Sequence, residues 1–205
     1  RAVDPRRRDG GAARGVSVGA ILLAAGSARR MGADKLTADL GGRALALHAF
    51  EALLAAGFDR PIVAVAPGSA VVALFADRAR LVLVEDHALG MGHSLAAAVA
   101  AVPGDWTAAV IGLADMPFVR PATLRALAAA SAPDAIVRPV FDGTPGNPVA
   151  WGRDHFPALA ALSGDKGGRD ILARSPPTPL ACDDPGVTID VDTPEALAAA
   201  RARFL

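Results

Sequence analysis

The run Val18-Gly19-Ala20-Ile21-Leu22-Leu23-Ala24-Ala25-Gly26-Ser27-Ala28-Arg29-Arg30-Met31-Gly32-Ala33-Asp34-Lys35 decides how this chain is read. Its first half is apolar without alternation, as a strand covered on both faces must be. It then passes directly into a turn with two glycines, two arginines and a lysine. Glycine lets backbone N–H groups approach an anion closely, and Arg30 and Lys35 bring positive charge suited to phosphate oxygens. Neither of the two commonest nucleotide loops fits. Positions 26, 28 and 31 read Gly, Ala and Met where G-x-G-x-x-G needs three glycines, and no Gly-Lys-Ser/Thr follows for a Walker A loop. Taken alone, the loop also reads as a surface turn with solvated cations. Its place at the carboxyl end of a first strand, where open α/β sheets bind ligands, favours the anion site.

Outward from this run, short apolar segments alternate with longer Ala/Leu-rich ones, the signature of βαβ units. Strands are expected at 18–23, 62–66, 81–84, 108–113, 135–139 and 187–191, with a short one at 148–151. Helices are expected at 44–56, 70–78, 94–102, 121–130, 167–174 and 194–204. Pro121 and Pro194 stand where a first-turn proline belongs, Thr193 is a good N-cap, and Gly57 follows the helix it would end. The result is an α/β chain of three layers around a mostly parallel sheet. Residues 17–205 are expected to form a single domain behind a flexible leader, residues 1–16.

Composition narrows the function. The 205 residues are 52% hydrophobic and 20% charged, enough for a sizeable core and too apolar for global disorder. Acidic and basic residues cancel at 21 each, which argues against a whole-protein nucleic-acid binder. Tyrosine is absent, which weakens any case for base stacking on single strands. The lone Cys182 excludes an internal disulfide framework and has no metal-ligand spacing around it. Arg6–Arg8 ahead of 18–25 faintly mimic a signal peptide, but the apolar run is only about 8 residues and leads into the loop. No run reaches the roughly 18 apolar residues of a membrane span. A cytoplasmic enzyme or binding module with no membrane or nucleic-acid partner is expected.

Leu23-Ala24-Ala25-Gly26 with Arg30-Met31-Gly32 and Lys35 resembles the opening signature of the nucleotidyltransferases related to molybdopterin nucleotide transferases. The double alanine is closer to the molybdenum cofactor cytidylyltransferase branch than to the guanylyltransferase branch, which tends to carry L-A-G-G. The resemblance implies a Rossmann-like nucleotidyltransferase fold. It further implies that Leu23, Ala24, Ala25 and Gly26 bind the nucleotide, with Arg30 and Lys35 on its phosphates as binding and catalytic residues.

Ile111-Gly112-Leu113-Ala114-Asp115-Met116-Pro117 puts a carboxylate just past a buried strand, a placement that suits Mg²⁺ and equally a turn or N-cap. It is similar to the family's metal-binding A/G-D-M-P motif, which implies a catalytic, metal-binding Asp115. Asp190-Val191-Asp192-Thr193-Pro194-Glu195 resembles the family's D-I-D-T-P-E-D-L segment. Two aspartates two apart on extended chain face one side; Asp192 is the expected second Mg²⁺ ligand and Asp190 its rival. Gly90-Met91-Gly92-His93-Ser94-Leu95 is a second glycine turn in which Ser94 reads as an N-cap and His93 as a solvated turn residue. The family's G-M-x-x-S-L segment implies nucleoside contacts for Gly92 and Ser94.

Gly146-Asn147-Pro148-Val149 and Gly164-Asp165-Lys166-Gly167-Gly168-Arg169 resemble the acceptor-side G-H-P-V and G-D-x-G-A-R motifs, with Asn147 and Gly168 departing from them. Lys166 and Arg169 are the expected anchors of an acceptor phosphate; a helix-start loop with exposed charges is the alternative. The resemblance thus implies a Mg²⁺-dependent transferase of molybdenum cofactor biosynthesis. Its substrates would be CTP and a molybdopterin-type acceptor, with a molybdoenzyme as recipient of the product. The rival readings are a related transferase for another nucleotide or acceptor, and a non-catalytic cofactor delivery partner.

Overall fold

The computed structural model describes residues 17–26, 35–165 and 167–204; the expected leader lies outside them. In chain order the elements are β1 (Val18–Ala24), β2 (Asp39–Leu40), β3 (Arg43–Ala44), α1 (Leu45–Ala55), β4 (Ile62–Val65), α2 (Val71–Phe75) and β5 (Arg80–Leu83). There follow α3 (Met91–Ala100), β6 (Ala108–Leu113), α4 (Pro121–Ala129), β7 (Ile136–Phe141), β8 (Thr144–Pro145) and β9 (Val149–Gly152). The chain ends with α5 (Phe156–Ala160), α6 (Arg169–Arg174), β10 (Thr178–Ala181) and α7 (Pro194–Arg201).

The main sheet runs β10-β7-β9-β6-β1-β4-β5, with β8 added on β7, while β2 and β3 form a separate small hairpin. Strands β6, β1, β4 and β5 are mutually parallel. β9 is antiparallel to both β6 and β7, so β7 and its parallel neighbour β10 point the same way as β6. The carboxyl ends of β1, β6 and β7 therefore share one edge of the sheet.

Apolar strands need cover on both faces, and the core divides accordingly. Ala20, Leu22 and Ala24 of β1 pack with Phe50 of α1, Phe75 of α2, Leu127 of α4 and Leu197 of α7. Ile21 faces the other way, with Leu95 of α3, Leu159 of α5 and Ile171 of α6. Burying side chains of this size contributes about 1.5–3 kcal/mol each. The expected three-layer architecture and mostly parallel sheet are what the structure shows. Among the described residues no helix is long and apolar enough to cross a membrane.

Local signals place several boundaries as expected. Pro121 and Pro194 open α4 and α7, and Thr193 Oγ1 accepts from Ala196 N at 3.1 Å. Two expectations need correction. Residues 187–191 are not a sheet strand. Pro185–Thr188 form a 3-10 turn, capped by the buried Asp184 carboxylate, which accepts from Gly186 N at 3.0 Å, Arg120 N at 2.9 Å and Thr123 Oγ1 at 2.6 Å. Ser94 is not an N-cap. Helix α3 starts at Met91, because Gly90 at φ +125° turns the chain three residues earlier, and Ser94 lies buried inside the helix. The mostly exposed, proline-bearing edge strand β10 had no run of large apolar residues to announce it.

Candidate active site

Three strand-end segments meet at the carboxyl edge. The register pairs Leu23 with Leu113, and Ala114 N donates to Leu23 O at 3.1 Å, so the chain leaving β6 follows the chain leaving β1. Ala24 and Ala25 are buried there and Gly26 is exposed. Asp115 comes next after Ala114. Its carbonyl accepts from Val191 N at 2.9 Å, and this bond brings Asp192 to Asp115 without a parallel strand at 187–191.

Lys35 re-enters as the first residue of a 3-10 turn, Lys35–Thr37, pinned by the buried Leu36. Its Nζ donates to Asp115 Oδ2 at 2.7 Å and also to Asp192 Oδ1. Side-chain exposure is 14% for Lys35, 20% for Asp115 and 44% for Asp192, so the ammonium and Asp115 are the more desolvated members of the group. Asp190 is exposed and makes no ion pair among the described residues; of the two rivals, Asp192 is the one beside Asp115.

The charges respond to this geometry. Burial pushes the Asp115 carboxyl above its usual range; the Lys35 ammonium opposes the shift without cancelling it, and Asp192 and Asp190 add to it. Burial alone would lower Lys35, but the charge of Asp115, with hydrogen bonds to both aspartates, holds it above its usual value. The hydrogen bond from Lys35 lowers Asp192.

Asp115 Oδ1 is buried and has no hydrogen-bond partner among the described residues. A bare buried acceptor is costly, and a charged one more so. Two carboxylates and one uncovered oxygen fit a hard divalent cation that completes its shell with phosphate and water. No group of three or more potential metal-ligating side chains is gathered among the described residues.

The second glycine turn packs against the acceptor-side loop. Gly92 N donates to Gly164 O at 2.8 Å, and a Cβ at Gly92 would come within 2.9 Å of Ser163. Only glycine allows that approach. Sequence reading put these two loops on different sides of a cleft; in the structure they are in contact. His93 lies in the first turn of α3, partly exposed. Asn147 ties its backbone N–H to Val187 O at 2.8 Å. Arg169 is exposed at the start of α6. Arg30, with the rest of the loop from Ser27 to Asp34, and Lys166 lie outside the described residues.

Sequence reading missed two residues. Asp184 anchors the turn that precedes Asp190 and Asp192, and only its Pro-Gly successor hinted at a capping role. Arg138 of β7 belongs to no motif, yet its Nε donates to Gly146 O at 2.9 Å beside the Gly146-Asn147 segment.

Known proteins resemble this chain in sequence and in fold. Purine catabolism protein PucB of Bacillus subtilis (strain 168) is 30% identical over 188 residues, covering 85% of this chain and 91% of PucB. Bifunctional protein GlmU of Azorhizobium caulinodans is 34% identical over 153 residues, but the match takes in only 34% of GlmU, so the chain spans about a third of that relative. The crystal structure of Rv0371c from Mycobacterium tuberculosis H37Rv superposes with a TM-score of 0.82 at 30% identity, covering 91% of this chain and 98% of that one. A complex of Rv0371c with manganese superposes with a TM-score of 0.79 at 29% identity, covering 91% and 99%. The MobA-like NTP transferase domain matches residues 20–178, from β1 through Lys35 and Asp115 to the first residue of β10. With β1, Lys35 and the strand-end Asp115 all inside that match, the chain belongs to the MobA-like NTP transferase family.

Proposed function

We propose that this chain is a nucleotidyltransferase that moves CMP from CTP to the terminal phosphate of molybdenum-bound molybdopterin, releasing pyrophosphate and giving the cytosine dinucleotide form of the cofactor. The observation that carries the reading is the convergence of Lys35, Asp115 and Asp192, with one buried Asp115 oxygen left uncovered. The double alanine at Ala24-Ala25, buried at the end of β1, supports the cytidylyl assignment.

In this reading an oxygen of the acceptor phosphate attacks the α-phosphorus in line, and the bond to the bridging oxygen of the β-phosphate breaks. No covalent protein intermediate is needed, so the chain works by positioning and charge. Lys35 neutralises triphosphate oxygens, and Arg30 is assigned the same task. Asp115 and Asp192 would hold Mg²⁺, and the chemistry that ion supplies when bound is charge neutralisation at the α-phosphate. Gly92 and Ser94, in the first turns of α3, are assigned to the nucleoside side, and Lys166 and Arg169 to the acceptor.

The test is incubation with CTP, GTP, ATP or UTP, Mg²⁺ or Mn²⁺, and either molybdopterin or a sugar phosphate, followed as pyrophosphate release. CTP- and molybdopterin-dependent release is expected. Release only with a sugar phosphate would transfer the chain to a different acceptor class, and none with any pair would leave a binding module.

A further inference from the structure

Arg138 and Arg169 are two guanidinium groups without a carboxylate partner in any ion pair among the described residues, although ion pairs engage Arg43, Arg78 and Arg120 elsewhere. The fold brings the two together from 31 positions apart. Trp151 of β9 pairs with Ile136 of β7, and Gly168 sits against the Trp151 ring, where a Cβ would lie 2.9 Å from Cζ2. Arg169 follows Gly168. Arg138 follows Ile136 by two residues and so shares its face of the sheet, the face on which Ile171 of α6 is packed. The two are near enough that, after burial, the charge of Arg169 is what lowers the Arg138 guanidinium below its usual value.

Arg138 is also held in place. It is only partly exposed, and its Nε is bonded to Gly146 O at 2.9 Å, which leaves both terminal nitrogens of the fork for another acceptor. Asn147 N then bonds Val187 O, and three residues after Val187 the chain reaches Asp190, with Val191 bonded to Asp115. One continuous backbone path thus links this arginine to the carboxylate site. Only β9 separates β7 from β6, so the two strands stand about 10 Å apart on the same edge.

A half-buried guanidinium held near a second cation is costly unless an anion joins them, and a fork of guanidinium N–H donors matches the oxygens of a phosphate. We propose that Arg138 and Arg169 form a clamp for a phosphate monoester dianion, the nucleophilic phosphate of the acceptor. The clamp rests on the reading of the chain as a nucleotidyltransferase with a phosphate acceptor. Arg138 is the new residue in it.

The leaving pyrophosphate is the other source of the same chemistry, so the test has two arms. Phenyl phosphate is titrated by calorimetry into the protein saturated with Mg²⁺ and pyrophosphate, and pyrophosphate is titrated in a separate series. Arg138→Gln and Arg169→Gln should each weaken phenyl phosphate binding about ten- to a hundredfold, with pyrophosphate affinity unchanged. In wild type, the Arg138 and Arg169 Nε–H resonances should move on adding phenyl phosphate. Arg138→Lys, which keeps charge but not the fork, should fall between wild type and Arg138→Gln. Because Arg169 is exposed, its variant tests the clamp even if Arg138→Gln fails to fold. Unchanged phenyl phosphate affinity in Arg169→Gln, or a loss of pyrophosphate affinity instead, overturns the proposal. Neither arm needs turnover, so a wrong nucleotide or acceptor in the functional reading would show in the pyrophosphate-release assay and not here.

Discussion

Replacing Lys35 by Met keeps the length of the side chain and removes the charge that stands between two carboxylates. Asp115 would then be a buried anion with neither oxygen covered, since Oδ1 has no partner already and Oδ2 loses the donor at 2.7 Å. Removing one partner of a buried pair costs about 3–5 kcal/mol. With a fifth of Asp115 still wet, solvent screening reduces this to about 2–3 kcal/mol near neutral pH. For a chain of this size that is roughly 4–12 °C in Tm. The pH dependence has a definite sign. The folded Asp115 pKa already lies above its unfolded value, so this carboxyl costs stability as pH rises through the folded value. Without Lys35 that pKa climbs further. The deficit of Lys35→Met should therefore be full at neutral pH and shrink on acidification, as Asp115 takes up its proton. Lys35 itself is raised, so its stabilisation is complete below its unfolded value of 10.5 and is lost as pH rises through the folded value. Thermal unfolding of wild type, Lys35→Met and Lys35→Met/Asp115→Asn across pH measures all of this. The double variant should recover most of the loss. A deficit independent of pH, or a double variant no more stable than the single, would refute the pairing as described.

Asp115→Asn should leave stability at neutral pH unchanged or raised, because it removes a desolvated charge, while turnover falls about a hundredfold or more; melting and pyrophosphate release on one preparation check both. Asp192→Asn should also lose activity, and adding Asp115→Asn should cost much less than the sum of the two single losses, since one broken site cannot be broken again; additive losses would mean that the carboxylates act separately. Competition kinetics should favour CTP over GTP, given the buried Ala24-Ala25 at the end of β1, and a preference for GTP would remove the cytidylyl assignment. Gly90→Ala should destabilise the protein by more than about 1 kcal/mol, because φ of +125° strains any side chain and a methyl there meets the Gly164 backbone; an unchanged Tm would contradict the loop contact.

What could be read from the sequence follows from how local each cause is. The run 108–113 is buried on both faces along its length, so its apolar character alone defines β6, and the observed bounds agree. Likewise Thr193-Pro194 carries both a cap and a first-turn proline within two residues. Asp115 was visible because a single strand end displays it. The partnership of Asp192 with Asp115 was inferred from a parallel strand that does not exist. The real cause is one backbone hydrogen bond from Val191, prepared by a turn that Asp184 caps from inside the fold. The misplaced start of α3 has the same origin: Ser94 has the chemistry of an N-cap, but the chain turns at Gly90 because Gly92 must lie against Gly164, more than seventy residues away. Arg138 left no trace in the pattern, since what singles it out is a missing counter-charge.

That missing counter-charge gives the site its polarity. The whole chain carries equal numbers of acidic and basic residues, and a net charge of zero says nothing about the field in the cleft. At the ends of β1 and β6, one ammonium stands against Asp115 and Asp192, with Asp190 close by, so this end has unmet demand for positive charge. At β7 and α6, Arg138 and Arg169 stand near one another and enter no ion pair among the described residues, so that end is open to negative charge. Short-range pairing would cancel both if the groups could meet, but β9 holds the two strands apart. A nucleotidyl transfer needs this separation. A cation must sit where the α-phosphate gains charge, and an anionic nucleophile must be drawn in from the opposite side without being neutralised by the same cation. A rigid sheet edge supplies that spacing at no reorganisation cost during the reaction.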